Sequence, residues 1–217
     1  MDKVQILLPA LNEEGSIVAV IEEIQALNLS GCGIVVVDNG STDNTASKAK
    51  SMGAVVLRCL IRGKGNAIRY AIPQIDSDFV VMMDSDGTYP PACIPQMIGL
   101  LEHGFDIVVG KRKTCSMRFY NRICNIALSI PNYVIFGGKN NDICSGMWAF
   151  KTPALKDLAL TATDFTLEAD ITTMAYLKHY KLWNMPIEYR KRIAGESKIK
   201  FKDGLKIASV MFKRALK

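Results

Sequence analysis

Histidine and ordered cysteine patterns are nearly absent from this sequence. It contains two histidines, and its six cysteines are scattered without a Cys-x-x-Cys pair. We therefore expect neither a zinc site nor a disulfide framework, and reduced thiols in a core are typical of a cytosolic protein. The sequence has no run of about 20 apolar residues, so we expect no transmembrane helix. The first residues also lack the basic and then apolar pattern of a signal peptide.

Charge is distributed unevenly along the 217 residues. From Lys178 to Lys217 there are twelve Lys and Arg against three Asp and Glu, a balance of +9, whereas the remaining residues carry −3 of the net +6. Such a basic region suits lipid phosphate, a membrane surface or nucleic acid, and a solvated basic face is an equal alternative. Nucleic acid binding would require aromatic residues between the cations. Residues 189–192 (YRKR) come nearest to that pattern, so we expect no nucleic acid partner.

The first half alternates short apolar runs with segments of helical periodicity. This alternation predicts an α/β fold with a mostly parallel sheet covered by helices on both faces. In such sheets, ligands bind beyond the carboxyl ends of the strands. The predicted strands are 4–9, 33–37, 54–60, 79–83 and 106–110. The predicted helices are 17–27, 41–52 (capped by Ser41 or Thr42), 64–72 and about 90–101.

The composition of the whole chain, 49% hydrophobic and 22% charged residues, suits one large domain. The second half of the chain is less regular than the first. Its predicted elements are a helix over 116–136 interrupted near Pro131, a strand at 147–151, a helix at 166–179 and a strand at 182–189. Pro186 places that last strand at a sheet edge. We expect a single domain over 1–198, with halves of about 1–112 and 113–198, followed by a basic amphipathic helix at 199–217.

Two carboxylates follow the fourth predicted strand, in Asp84-Ser85-Asp86. Carboxylates on alternate residues at a sheet's ligand-binding edge can share one hard cation, Mg²⁺ or Mn²⁺, which takes its other ligands from phosphates and water. Such a cation would neutralise a diphosphate leaving group. An acidic turn without a ligand is the structural alternative.

Two further strand ends carry polar residues. Asp38 can accept hydrogen bonds from a nucleotide base or a ribose hydroxyl, or it can serve as a turn residue. Residues 62–67 (RGKGNA) place Lys64 between two glycines at a helix start, where backbone can approach phosphate or ribose closely. The spacing differs from that of a Walker A loop, and an ordinary helix start is the alternative.

Several motifs occur together in one order and resemble family 2 glycosyltransferases of the GT-A fold. The similarity is closest to the branch of dolichyl-phosphate mannose synthases and bacterial polyprenyl-phosphate hexosyltransferases. The motifs are residues 8–13 (LPALNE), 37–43 (VDNGSTD), 62–67 (RGKGNA), 83–87 (MDSDG), 109–112 (VGKR), 142–147 (DICSGM) and 195–198 (GESK).

The resemblance implies an inverting transfer of a hexose from a UDP- or GDP-sugar to a polyprenyl phosphate. The residues expected to bind the nucleotide-sugar are Pro9, Ala10, Asn12, Glu13, Asp38, Lys64, Asp84 and Ser85. Those expected to bind the acceptor phosphate are Arg112, Arg122, Ser145 and Lys198. Asp86, with Asp84, is the expected ligand of Mg²⁺ or Mn²⁺. The expected catalytic residues are Asp86, Arg112 and Glu168.

The sequence departs from the family pattern at Asn39, where aspartate is usual, and this leaves base and sugar specificity open. The acceptor is also open, because a hydroxyl acceptor would need a base and Glu168 is the candidate. A sugar-phosphate nucleotidyltransferase would require a glycine-rich loop after the first strand, and residues 9–12 (PALN) contain no glycine. A non-catalytic nucleotide-binding module is a weaker alternative. We expect a cytoplasmic protein, peripheral on the cytoplasmic face of a membrane or held there by a separate membrane subunit.

Overall fold

The computed structural model describes residues 4–113 and 142–195, and within them one seven-stranded sheet carries the fold. The strands are β1 Val4–Ala10, β2 Cys32–Asp38, β3 Val55–Arg58, β4 Phe79–Met83, β5 Ile107–Arg112, β6 Met147–Lys151 and β7 Leu182–Ile187. Their order across the sheet is β3-β2-β1-β4-β6-β5-β7. All seven correspond to predicted strands: β4 and β6 match the predicted bounds, and the ends of the others differ by at most two residues.

The sheet is mixed and mostly parallel, as predicted. Strands β1, β2, β3 and β4 run parallel, as do β5 and β7, whereas β6 lies antiparallel between β4 and β5. Every residue of β4 is buried, which explains its unbroken apolar sequence. Strand β7 lies at the edge of the sheet and, among the described strands, pairs only with β5. An edge strand tolerates Pro186, which has no N–H to donate to a neighbouring strand.

Helices cover both faces of the sheet. The helices are α1 Ile17–Gln25, α2 Thr45–Ser51, α3 Lys64–Ala71, α4 Ile94–Glu102, α5 Thr152–Asp157 and α6 Leu167–Leu177, with 3₁₀ turns at Ile72–Gln74 and Pro91–Cys93. Alternate strand residues face opposite sides, so Ile6 and Leu8 pack with α1 and α4, whereas Leu7 packs with α3 and α6. The predicted two-sided cover is confirmed.

Helix α2 begins later than predicted, at Thr45, and the cap predicted from Ser41 or Thr42 is wrong. Both residues instead bind the turn after β1. The Asn12 N–H donates to Ser41 Oγ at 3.0 Å, and the Thr42 N–H donates to Asn12 Oδ1 at 2.8 Å. These bonds hold the chain in a turn for several residues after β2, so the helix starts only beyond it.

Two other expectations concern the second half of the chain. Helix α5 was not predicted, because six residues beginning with a proline-containing turn show too little periodicity. The helices predicted at 116–136 and 199–217 lie outside the described residues. Across residues 4–113 and 142–195, none of the helices combines the length and the apolar character that crossing a bilayer requires.

Candidate functional site

The carboxyl ends of β2, β1 and β4 lie side by side and bring the predicted polar residues to one edge of the sheet. In the parallel register, Ala10 pairs with Asp38, and Leu7 pairs with Met82. The Ser85 hydroxyl donates to the Pro9 carbonyl at 2.9 Å, which ties the turn after β4 to β1. This edge is where an α/β sheet binds its ligand.

Asp84, Lys64 and Glu168 form a partly buried ionic group at this edge, in which Asp84 is the most exposed member. Lys64 Nζ lies 2.5 Å from Asp84 Oδ1 and 2.5 Å from Glu168 Oε1. Burial alone would lower the pKa of Lys64, but the charges of the two carboxylates outweigh it and raise that pKa. The lysine is therefore a fixed cation. It joins the end of β4 to the first turn of α6, two elements far apart in sequence.

Glu168 is buried, with 7% of its surface exposed, rather than a solvated residue of a helix start. Burial and, after it, the charge of Asp84 raise the pKa of Glu168, although Lys64 acts in the opposite direction. The structure brings Glu168 and Asp84 to the same lysine. Whether Glu168 acts as a base stays a prediction.

Asp86 and Glu13 share one arginine. Arg192 Nη2 lies 2.6 Å from Asp86 Oδ2, and Arg192 Nη1 lies 3.1 Å from Glu13 Oε1. Asp86 Oδ1 accepts hydrogen bonds from the Thr88 N–H at 2.9 Å and the Thr88 hydroxyl at 2.6 Å. The first carboxylate of the opening motif and the second aspartate of Asp84-Ser85-Asp86 thus face the same guanidinium.

Arg192 was not among the predicted site residues. The segment that carries it runs beside the turn after β4, with the Arg190 N–H donating to the Thr88 carbonyl at 2.9 Å and the Ile193 N–H to the Asp86 carbonyl at 3.1 Å. Its sequence signals were weak. It belongs to the basic run 189–192 and precedes the motif at 195–198 by three residues.

The aspartate pair has the chemistry of a site for a hard cation. Burial first and then the negative charge of Asp84 raise the pKa of Asp86, as expected for two neighbouring carboxylates. A divalent cation would relieve the repulsion between these like charges, and carboxylate oxygens suit Mg²⁺ or Mn²⁺. Within the described part of the chain, no cluster of three or more His, Cys, Asp and Glu residues could hold a metal. Asp84 and Asp86 already pair with Lys64 and Arg192, so a cation would share their oxygens with these two groups.

The glycines around Lys64 have a different role from the predicted one. A Cβ added to Gly63 would lie 2.0 Å from the Thr163 carbonyl oxygen, and one added to Gly65 would lie 2.4 Å from that of Ala162. The Gly65 and Asn66 N–H groups donate to the carbonyls of Asp164 and Thr163. The close approach predicted for phosphate or ribose is thus made by the protein's own backbone.

Arg112 and Ser145, predicted to bind an acceptor phosphate, are held by the protein itself. Arg112 is 8% exposed and binds Asp142 with two bonds, Nε to Oδ2 at 2.8 Å and Nη2 to Oδ1 at 2.6 Å. The Ser145 hydroxyl is fully buried and donates to the Gly110 carbonyl at 2.6 Å. To reach a phosphate, Ser145 would have to change partners. Arg122 and Lys198 lie outside the described residues.

Gly146 supports the first aspartate. The Asp84 N–H donates to the Gly146 carbonyl at 3.2 Å, and the Gly146 N–H donates to Tyr89 Oη at 2.6 Å. A Cβ on this residue would lie 2.0 Å from Asp84 Oδ2, so only glycine leaves the carboxylate in place. The motif at 142–147 therefore contributes an ion pair to Arg112 and a close contact to Asp84.

The family model described as "Glycosyl transferase family 2" matches residues 5–159. A dolichyl-phosphate hexose transferase of Haloferax volcanii is 32% identical over 201 residues, covering 91% of this chain and 87% of that protein. A dolichol-phosphate mannosyltransferase of Pyrococcus furiosus is 28% identical over 217 residues, covering 92% of this chain and 60% of that longer protein.

Solved structures share the fold. Glucosyl-3-phosphoglycerate synthase of Mycobacterium tuberculosis, crystallised with phosphoglyceric acid, superposes with a TM-score of 0.81 at 22% identity, covering 99% of this chain and 80% of that one. The same enzyme with Mn²⁺, uridine diphosphate and phosphoglyceric acid gives a TM-score of 0.79 at 22% identity, covering 99% and 78%. At this level of identity, the likeness shows the fold alone.

Proposed function

The chain belongs to glycosyl transferase family 2, and on that premise we propose that it moves a hexose from a UDP- or GDP-sugar to a polyprenyl phosphate, with inversion at the anomeric carbon. The carrying observation is the convergence of Asp84 and Asp86 with two cations, Lys64 and Arg192, at the carboxyl edge of the sheet. The names of the relatives from Haloferax and Pyrococcus support a hexose donor and a dolichyl phosphate acceptor.

In the donor site we assign Asp86, with Asp84, to hold Mg²⁺ or Mn²⁺, which would supply positive charge to the diphosphate of the nucleotide-sugar. The Mn²⁺ bound with uridine diphosphate in the mycobacterial neighbour supports this assignment. Lys64 and Arg192 add fixed positive charge on either side of the aspartates. Preorganised cations of this kind stabilise charge that develops on a leaving group. Pro9, Ala10, Asn12, Glu13, Asp38 and Ser85 complete the proposed donor site.

In the transfer, an oxygen of the acceptor phosphate forms a bond to the anomeric carbon. The bond from that carbon to the diphosphate breaks, and its electron pair leaves with the nucleoside diphosphate. An acceptor phosphate is already anionic, so no proton has to be removed and the enzyme's main task is positioning. We assign that task to Arg112, Arg122, Ser145 and Lys198, together with the basic C-terminal region on a membrane surface.

A soluble acceptor is the second candidate, and one observation favours it. The mycobacterial neighbour binds phosphoglyceric acid, a small acceptor-sized anion that is not a lipid. If the acceptor oxygen were a hydroxyl, a carboxylate would have to take its proton, and Glu168 is a buried carboxylate that shares Lys64 with Asp84.

Product analysis with a donor and acceptor panel tests the proposal. The full chain with Mn²⁺ is incubated with radiolabelled UDP- and GDP-hexoses, and with either polyprenyl phosphate, phosphoglyceric acid or no acceptor. We expect label in the organic phase only with polyprenyl phosphate and one class of nucleotide. Transfer to phosphoglyceric acid but not to lipid would favour the soluble acceptor, and no transfer with any pair would contradict both.

A further inference from the structure

The side-chain amide of Asn39 is buried and makes three hydrogen bonds to a single loop. Asn39 follows β2 and is 4% exposed. Its Nδ2 donates to the Cys59 carbonyl at 3.2 Å and to the Ile61 carbonyl at 2.8 Å, and its Oδ1 accepts from the Gly63 N–H at 2.6 Å. The amide therefore uses both of its hydrogens and its oxygen on the loop from 59 to 63, the Asn39 loop.

Only a carboxamide satisfies these three partners. Two of them are carbonyl oxygens that need donors, and one is an N–H that needs an acceptor. An ionised aspartate has acceptors alone, so two carbonyls would face a carboxylate at about 3 Å in a buried setting, where unmet polar groups are costly. The structure thus gives a reason for asparagine where the sequence analysis noted a departure from aspartate.

Two weaker or peripheral side-chain bonds also reach the Asn39 loop: the Cys59 thiol donates to the Ile61 carbonyl at 3.4 Å, and Asn66 Nδ2 donates to the Arg62 carbonyl at 2.9 Å. The side chains of Leu60 and Ile61 are 85% and 70% exposed, so packing contributes little there. At its start, the Cys59 N–H donates to the Asp38 carbonyl at 2.9 Å. At its end, Gly63 adopts a φ of +124° and is followed directly by Lys64. The amide therefore bonds to the residue that precedes the lysine of the donor site.

We infer that Asn39 is a positioning residue: its amide fixes the Asn39 loop and, through Gly63, the backbone from which Lys64 reaches Asp84. The inference rests on the proposed function, because Lys64 is assigned there to the diphosphate of the donor. It assigns no contact between Asn39 and the substrate. The departure from aspartate then changes how the donor site is supported and leaves the contacts to base and sugar to other residues.

Asn39→Asp tests the inference by replacing one nitrogen with oxygen. Arg62 is exposed within the loop, so the rate of trypsin cleavage after Arg62 measures how often the loop opens. We expect cleavage after Arg62 to speed up by about tenfold or more, while the full chain still unfolds cooperatively. Donor KM should rise by about tenfold, with acceptor KM unchanged within about twofold. Asn28→Asp, the same atomic change at an exposed amide that binds only the Ala26 carbonyl locally, should alter none of these.

Two further measurements keep the inference testable if Asn39→Asp does not fold. Asn39→Ser keeps one hydroxyl without adding charge and should show the same shifts in weaker form. In the unmodified protein, the Gly63 amide should exchange its hydrogen at least about 100-fold more slowly than a free peptide. The inference would be overturned if the Gly63 amide exchanged its hydrogen as fast as a free peptide. It would also be overturned if a folded Asn39 variant kept the cleavage rate after Arg62 and the donor KM of the unmodified protein. Cleavage and exchange do not depend on turnover, so they decide the loop's role even if the enzyme transfers no hexose.

Discussion

The two halves of the chain contribute differently to the site. Residues up to 113 bring motifs at strand ends, whereas residues 142–195 bring charges that match them. Glu168 pairs with Lys64, Arg192 with Glu13 and Asp86, and Asp142 with Arg112. In each ion pair, one charge comes from the first half of the chain and the opposite charge from the second half. The site therefore depends on long-range pairing, although the motifs alone look self-contained.

Breaking the most buried of these pairs should have the largest effect. Arg112 and Asp142 are 8% and 1% exposed, so Asp142→Ala would leave a buried cation without its bidentate partner. We expect a loss of about 3–5 kcal/mol of unfolding free energy, measured by urea denaturation. A change below about 1 kcal/mol would show that the halves do not depend on this pair.

The control for that experiment is another pair that joins the two halves, but at the surface. Glu23 and Arg190 are 2.8 Å apart, with side chains 41% and 47% exposed. Solvent screens such a pair, so Glu23→Ala should cost less than about 1 kcal/mol. Similar losses of unfolding free energy in both variants would mean that burial does not explain how much the Arg112–Asp142 pair stabilises the protein.

Arg192→Ala should chiefly affect turnover. The substitution removes the guanidinium shared by Glu13 and Asp86, and removal of one preorganised donor to a developing anion costs about 10²–10³ in kcat. Arg190→Ala, in the same segment but paired at the surface, should retain nearly full activity. Comparing kcat of the Arg192→Ala and Arg190→Ala variants, measured with saturating donor, distinguishes an electrostatic role of Arg192 from a loss of order in residues 188–195. Equal losses would remove Arg192 from the site.

Glu168→Gln should have the smallest effect on transfer to a lipid phosphate. Glutamine keeps an oxygen for Lys64 but cannot act as a base, and an anionic acceptor needs none. We expect kcat to fall by less than about tenfold. Near-total loss of turnover with intact nucleotide binding, measured by calorimetry, would instead favour a hydroxyl acceptor.

Sequence periodicity was sufficient for most of the fold. The five strands of the first half are short, apolar and separated by helices, so each is visible locally, and β4 matches its predicted bounds. The aspartates were predictable for the same reason, because they directly follow that strand. The late start of α2 could not be predicted, because it depends on hydrogen bonds between Asn12 and residues about 30 positions away.

Pairings between distant residues could not be predicted. Arg192 lies 179 positions from Glu13, and only the completed sheet brings them together. The glycines beside Lys64 suggested a ligand because glycine marks close approach, but the sequence cannot show that the approaching group is the backbone of residues 162 and 163. At Asn39 the sequence showed only a departure from the family's aspartate, and the three hydrogen bonds of its side chain became evident only with the loop in place.

The most direct test of the central claim is metal-dependent nucleotide binding by Asp86→Ala, measured by calorimetry with UDP and GDP in the presence of Mn²⁺. The control is Asp76→Ala, an exposed aspartate before the opposite end of β4. We predict that the Asp86 variant stays folded, loses the Mn²⁺-dependent part of binding and transfers no hexose, while the control behaves as the unmodified protein. Metal-dependent binding and transfer retained by the Asp86 variant would contradict the assignment of Asp84 and Asp86 to the donor site.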